Sequence, residues 1–334
     1  MPLKTSSLMD KNFSRPMPKT PLMPNKKILI LTTGGTIAGS GDDHLKGSSY
    51  QAGALNGETL LSLLPSIQET LEVQEIAQID SVEITPHIWK MLLESLHSKA
   101  LEYDGFVITH GTDTMEESAF ALDLLYKKDK PVVLVGAMRP SNALGSDGMK
   151  NLCNGIALAS QSPYRGVMVL MNDKIYNPHT LYKAHTYNLD AFASRNGGEI
   201  GYVLDGCVKF FYHPLPSIPL PFEPQDLESL PKVEIVYLYA GIEELPQFSH
   251  KVDGLVIAGC GAGNIPSKIK SSLLQLQDDG IKILACTRGS QGFVTQSDFI
   301  PAYGLSVPKA RILLALCLKH SFTQEAIQEI FSHF

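Results

Sequence analysis

No stretch of the 334 residues approaches the roughly 20 consecutive apolar positions needed to cross a bilayer, so no segment reads as a membrane span. Cysteine is sparse. The five residues Cys153, Cys207, Cys260, Cys286 and Cys317 are dispersed, with no CxxC pair and no His/Cys pattern at metal-ligand spacing. They read as reduced core thiols, and the pattern offers no metal site. Basic runs are also missing. Lys and Arg number 28 against 34 Asp and Glu, giving a net charge of −6, which argues against binding a nucleic-acid backbone. Neither GxGxxG nor GxxxxGK[ST] occurs, so a dinucleotide or nucleotide site is poorly supported, and no GxSxG elbow announces a Ser/His/Asp triad. No internal repeat or low-complexity tract interrupts the chain.

What is present is a globular composition, 44% hydrophobic and 19% charged, long enough for two domains or one large α/β unit at roughly 150 residues per domain. Residues 1–25 hold several Pro and Lys but no apolar run of signal-peptide length. They read as a flexible, non-targeting extension of a cytoplasmic protein. From residue 26 the text changes to short continuous apolar runs of the kind that make strands buried on both faces: 27–31, 105–109, 131–135, 166–171, 233–237, 254–258 and 281–285. Amphipathic stretches at 57–64, 86–97, 114–126, 149–159 and 267–277 separate most of them. This alternation predicts an α/β fold with a larger N-terminal doubly wound sheet domain, residues 26–211, and a smaller C-terminal α/β domain, residues 233–334. Six prolines crowd the segment between, which reads as a linker over 212–232.

In open α/β sheets ligands sit beyond the carboxyl ends of strands, so the residues after each run carry the expectation of chemistry. After the first run comes Thr32-Thr33-Gly34-Gly35-Thr36, after the second His110-Gly111-Thr112-Asp113-Thr114, and after the third Gly136-Ala137-Met138-Arg139-Pro140. Paired glycines before a threonine allow a tight turn that presents a hydroxyl and nearby N–H groups, which suits a nucleophile with its oxyanion donors. The same text suits a plain βα turn or a phosphate cradle. Asp113 or Thr114 is placed to cap the following helix, with Glu116 and Glu117 at its positive end. Two hydroxyls and a carboxylate exceed what one cap requires. His110 reads equally well as a packed strand-end residue or as a catalyst.

These segments together resemble the bacterial-type L-asparaginases, of the asparaginase/glutaminase family that hydrolyses side-chain amides. TTGGTIAGS at 32–40, ITHGTDTMEES at 108–118 and GAMRPSNALGSDGMKNL at 136–152 carry the resemblance, which runs from residue 27 to 334. It implies an enzyme that converts L-asparagine and water to L-aspartate and ammonia through a threonine nucleophile and an acyl-enzyme, with lesser glutaminase activity and no cofactor. By resemblance Thr36 is the nucleophile and Tyr50 the tyrosine that contacts it. Thr112, Asp113 and Lys183 form the activating group. Ser81 and Asp113 hold the substrate's α-carboxylate and α-ammonium, with Gly35, Gly111, Thr112 and Ala137 completing the binding set. On the bare sequence Lys183 is a surface lysine.

The chain departs from the secreted members of that family in carrying Val82 after Ser81, where they have Gln, and Ala262 where they have Asn; KAHTYNLDAFAS at 183–194 and GAGNIP at 261–266 are more like the cytoplasmic members. The resemblance also implies a homotetramer, as a dimer of dimers, or a homodimer, with sites completed at subunit contacts through 261–266 or 287–298. Two other readings use the same residues. An asparaginase-like subunit of a tRNA-dependent amidotransferase would carry a further folded N-terminal domain, for which the 25 leading residues are too few. A non-catalytic amino-acid-binding module would have no need of Thr36, Tyr50, Thr112, Asp113 and Lys183 together.

Overall fold

The computed structural model describes residues 25–45, 47, 49–213 and 219–334. The expected flexible extension therefore lies, but for Asn25, outside the described residues, as do 214–218 of the expected linker.

The fully apolar runs become strands of two sheets because a strand with neighbours on both sides and helices on both faces has no position left for a polar side chain. The strands are β1 (Lys27–Gly34), β2 (Thr70–Ile79), β3 (Gly105–Thr109), β4 (Pro131–Val135), β5 (Gly166–Met171), β6 (Lys174–Tyr176), β7 (Leu181–Lys183), β8 (Phe192–Ser194), β9 (Gly201–Leu204), β10 (Cys207–Phe210), β11 (Val233–Tyr237), β12 (Gly254–Gly259), β13 (Lys282–Thr287) and β14 (Ile300–Pro301). The helices are α1 (Gly57–Ser62), α2 (Pro86–Lys99), α3 (Met115–Leu125), α4 (Gly148–Gln161), α5 (Ser267–Asp278), α6 (Val307–Lys319) and α7 (Gln324–Phe331). Eight strands form the large sheet in the order β10-β9-β6-β5-β4-β3-β1-β2, and four form the small one in the order β11-β12-β13-β14. The expected α/β class, with a large N-terminal sheet domain and a smaller C-terminal one, is what the structure has.

Within the large sheet β2, β1, β3, β4 and β5 run parallel, and β6, β9 and β10 extend it antiparallel. The chain leaves β1 toward β2 on one side and returns to β3 on the other, so the strand order reverses at the β1/β3 boundary. Helices from the two sides diverge there and leave a crevice beyond the strands' carboxyl ends.

One face of the large sheet is covered by α1 and α4, where Leu152, Ile156 and Ala159, three to four residues apart, join Ile30, Val107 and Val133. Each such aliphatic side chain contributes about 1.5–3 kcal/mol on burial. The other face packs α2 and α3 in a core that continues through α6 to β12 and β13, so the two sheets share one apolar cluster; α5 covers the far side of the small sheet. Strands β7 and β8 belong to neither sheet and pair with each other as a short ribbon.

Candidate active site

At the end of β1, Gly35 takes a φ of 76° and ψ of −172°, which turns the chain into a single 3-10 turn, Thr36–Ala38. The turn is held by Gly35 N–H donating to the Ile79 carbonyl at 2.9 Å and Gly39 N–H donating to the Thr36 carbonyl at 2.8 Å. The end of β1 is pinned to the end of β3 by the Thr33 hydroxyl, which donates to the Thr109 carbonyl at 2.9 Å. The loops after β1 and β3 are therefore neighbours although some 75 residues separate them. A Cβ placed on Gly35 would lie 2.3 Å from the Gly111 nitrogen, so the two backbones are in direct contact.

On this base the expected side chains converge in two hydrogen-bonded groups. Thr36 Oγ1 lies 2.6 Å from the Tyr50 hydroxyl. Tyr50 is brought back over the loop by a one-residue antiparallel bridge between Ser40 and Gln51. Opposite, Lys183 Nζ donates to Thr112 Oγ1 at 2.8 Å and to Asp113 Oδ1 at 2.5 Å. Thr36 and Thr112 are 7% and 5% exposed, whereas the Asp113 side chain is 55% exposed and free to meet a ligand. Burial pushes the Tyr50 phenol above its ordinary range, against the Thr36 hydrogen bond, and the Asp80 and Asp113 carboxylates push it the same way. Tyr50 is therefore a neutral phenol at neutral pH.

Ser81 follows β2 in a second 3-10 turn and is buried; its Oγ accepts from the Asp113 N–H at 3.2 Å. The expectation that Asp113 or Thr114 caps α3 with its side chain is corrected. Thr114 occupies the cap position, but its hydroxyl donates to the Ser81 carbonyl at 2.7 Å, and Asp113 turns to Lys183. A tie between two site loops has taken the group that a free helix would use for itself. His110 is wholly buried, with Nδ1 donating to the Gly111 carbonyl at 2.6 Å, and it does not line the cavity.

Thr36, Tyr50, Ser81, Thr112, Asp113 and Lys183 all line one cavity of about 200 Å³. Gly35, Gly111 and Ala137 do not line it. The first two pack backbone to backbone beneath it, and Ala137 is fully buried. Sequence reasoning did not single out Gly47, Asp80, Met138, Thr186 and Tyr187, which complete the lining. A signal was available for some of them: Asp80 and Met138 directly adjoin Ser81 and Ala137, and Thr186 and Tyr187 follow Lys183 within one turn of chain. Met138 is set by Asp147, whose buried carboxylate accepts from the Met138 N–H at 3.1 and 3.0 Å and from the Arg139 N–H at 3.1 Å. Val82, beside Ser81, is 60% exposed and does not line the cavity. Larger cavities of about 990 and 860 Å³ lie around the linker and the C-terminal domain, lined by charged and hydroxyl side chains of their own but by no residue of the loops after β1 and β3.

Fold and site together define an open α/β protein with a hydroxyl-centred polar site at its switch point, supported by a lysine–aspartate pair. Residues 27–216 match the family model described as asparaginase, N-terminal, and residues 232–331 that of the glutaminase/asparaginase C-terminal domain. The chain is 37% identical over 329 residues to the L-asparaginase 2 of Escherichia coli (strain K12), covering 93% of this chain and 94% of that one. It is 34% identical over 330 residues to the glutaminase-asparaginase of Pseudomonas fluorescens biotype A, covering 91% and 89%. Among solved structures, a probable cytoplasmic L-asparaginase from Campylobacter jejuni superposes with a TM-score of 0.87 at 40% identity, covering 93% of this chain and all of that one. The chain belongs to the asparaginase family.

Proposed function

We propose that this protein is an L-asparaginase that converts L-asparagine and water to L-aspartate and ammonia, with lesser activity on L-glutamine. The observation that carries the reading is the meeting of Thr36–Tyr50 with Thr112–Lys183–Asp113 around one small cavity. At about 200 Å³ that cavity is below the roughly 300–1,000 Å³ of pockets for drug-sized ligands, and it suits a single amino acid.

In this reading Thr36 Oγ1 bonds to the side-chain amide carbon of the substrate, oriented by the Tyr50 hydroxyl 2.6 Å away. Backbone N–H groups of the glycine-rich turn and of Thr112 steady the oxyanion. As the Thr36 hydroxyl proton passes to the amide nitrogen, the carbon–nitrogen bond breaks and ammonia leaves; water then attacks the Thr36 ester, returning a proton to the Thr36 oxygen, to release the acid and restore the hydroxyl. Lys183, held by Asp113, polarises Thr112 on the other side of the cavity. The exposed Asp113 carboxylate suits the α-ammonium, and the buried Ser81 hydroxyl suits the α-carboxylate.

Asparagine and glutamine differ by one methylene, worth about 1–3 kcal/mol in a close-fitting pocket, so the preference is one of degree. Purified protein should release ammonia and aspartate from L-asparagine, and equal or faster glutamate release from L-glutamine would overturn the preference. Thr36→Ala and Lys183→Ala test the roles directly, since near-parental ammonia release by both would sink the mechanism.

We further propose a cytoplasmic location, supported by the likeness to the Campylobacter protein named as such. A homotetramer or homodimer is supported by the exposed aromatic side chains Tyr237, Tyr239 and Phe293 on the C-terminal domain. Molecular mass by light scattering on the kinetic sample decides between them and a monomer. The boundaries 26–211 and 233–334, joined through 212–232, are supported by the two sheets, and limited proteolysis within 212–232 tests them.

A further inference from the structure

The ribbon that carries Lys183 has only three residues in β7 and pairs with β8 alone among the described strands. So short a ribbon does not hold itself in place. Its backbone is tied instead to the C-terminal domain. Lys309, in the first turn of α6, is 1% exposed, and its Nζ donates to the His179 carbonyl at 3.2 Å and to the Leu181 carbonyl. Across the ribbon, the residue after β8 does the same: Arg195 Nε donates to the Gly304 carbonyl at 2.9 Å and Nη1 to the Gly289 carbonyl at 2.6 Å.

A buried lysine is costly unless its charge and donors are met. Val307, Ala310, Ile312 and Leu313 near it on α6 are buried and apolar, so packing alone would place an apolar residue at 309. Burial pushes the Lys309 amine down to about 8, and the Glu116 carboxylate is the strongest influence holding it up. Glu116 lies in the first turn of α3, three residues beyond Asp113, and its Oε2 has no hydrogen-bond partner among the described residues. One buried amine thus links a backbone to a charge. It bonds the strand that delivers Lys183, and it faces a carboxylate on the helix that begins just after Thr112 and Asp113.

We propose that Lys309 is a positioning residue for Lys183, fixing strand β7 from the C-terminal domain so that Lys183 reaches Thr112 and Asp113 together. Leu181 is two residues before Lys183, about 7 Å along the strand at 3.3 Å per residue, so displacement of its carbonyl is passed to the base of the Lys183 side chain. A shift of about 1 Å at a reacting group costs up to ~100-fold in rate. The inference rests on the reading of Lys183 as part of the catalytic machinery. It assigns the C-terminal domain a part in each protomer's own site.

Three variants of the full-length protein test it, Lys309→Met, Lys309→Gln and Lys183→Met, each measured for kcat and KM on L-asparagine, thermal melting, and amide hydrogen exchange over residues 177–186. Lys309→Met keeps the length and loses the donors. It should fold, lower kcat about 10- to 100-fold with KM within about threefold, and speed exchange in 177–186 while leaving the β12 and β13 peptides unchanged. Lys309→Gln retains a donor and should fall between Met and the parent. A folded Lys309→Met with kcat within about twofold of the parent overturns the proposal, as does an equal loss in both variants with unaltered exchange in 177–186. Where Lys309→Met fails to fold, Lys309→Gln decides by the same criteria: a kcat loss with faster local exchange supports the proposal, and parental kcat overturns it. Lys183→Met separates the two layers of argument. If it remains active, the catalytic reading of Lys183 falls; if it is inactive while Lys309→Met is unaffected, only the positioning role falls.

Discussion

Thr36 and Tyr50 share a hydrogen bond of 2.6 Å across a loop whose arms are tied by the bridge at Ser40 and Gln51 and by the Gly53 and Leu55 N–H groups, which donate to the Gly35 and Ala38 carbonyls at 3.0 and 2.8 Å. Thr36 is fixed by the 3-10 turn at the end of β1, and Tyr50 is fixed by the ties between the two arms.

Removing that phenol oxygen is the sharpest test of the pair. Because burial keeps Tyr50 neutral, it orients the Thr36 hydroxyl and exchanges a hydrogen bond with it, and does not serve as a resident anion. Tyr50→Phe keeps the ring and should lower kcat about 100-fold with little change in KM, read from ammonia release under saturating L-asparagine. A KM effect without a kcat effect would assign Tyr50 to substrate binding instead.

Much of this architecture is legible in the residues, for reasons that also mark where legibility ends. The continuous apolar runs of β3 and β4 are buried along their whole length, and such strands announce themselves. Strand β2 lies at the sheet edge with exposed and half-buried residues interleaved, so TLEVQEIAQI shows no comparable run. Strands of three residues such as β6, β7 and β8 are shorter than the roughly four to eight residues over which alternation can be read. Lys183 reads as a surface lysine from its local text because its partners are 70 and 71 residues away; only its resemblance to the family motif draws it inward. Asp80, Thr186 and Tyr187 enter the cavity beside Ser81 and Lys183, whose own meeting at one site no local spacing encodes.

Gly35 is the position where the backbone itself is the site. Its φ of 76° disfavours any L side chain, and a Cβ would meet the Gly111 nitrogen at 2.3 Å. Gly35→Ala must push the loops after β1 and β3 apart. The expected result is a loss of about 2–4 kcal/mol in urea unfolding, with ammonia release lost even where the variant stays folded. Parental stability would mean that the two loops are free to separate.

Ser81 joins the same loops from the side of β2. Its hydroxyl accepts from the Asp113 N–H at 3.2 Å while its carbonyl accepts from Thr114, so Ser81→Ala loses the first tie and keeps the second. The fold should survive. The lost hydroxyl is also the group assigned to the substrate's α-carboxylate, which predicts a KM for L-asparagine raised about 10-fold and a smaller change in kcat. An unchanged KM would remove Ser81 from the binding set.

His110 sets part of the pH dependence of stability. Burial lowers its pKa from 6.5 to about 4, and the Gly111 carbonyl opposes that only in part. The native protein keeps the imidazole neutral between those values while the unfolded chain binds a proton. Stability is therefore full above about pH 6.5 and falls as the pH is lowered toward 4, by about 3 kcal/mol over the window from this residue. Urea midpoints at pH 7.5 and pH 4.5 measure the fall, to which titrating carboxylates also contribute. His97, also lowered by burial, acts in the same direction in parent and variant alike. His110→Gln removes the titrating ring and should narrow the difference between the two pH values relative to the parent; an equal fall in both proteins would mean that His110 gains its proton without unfolding.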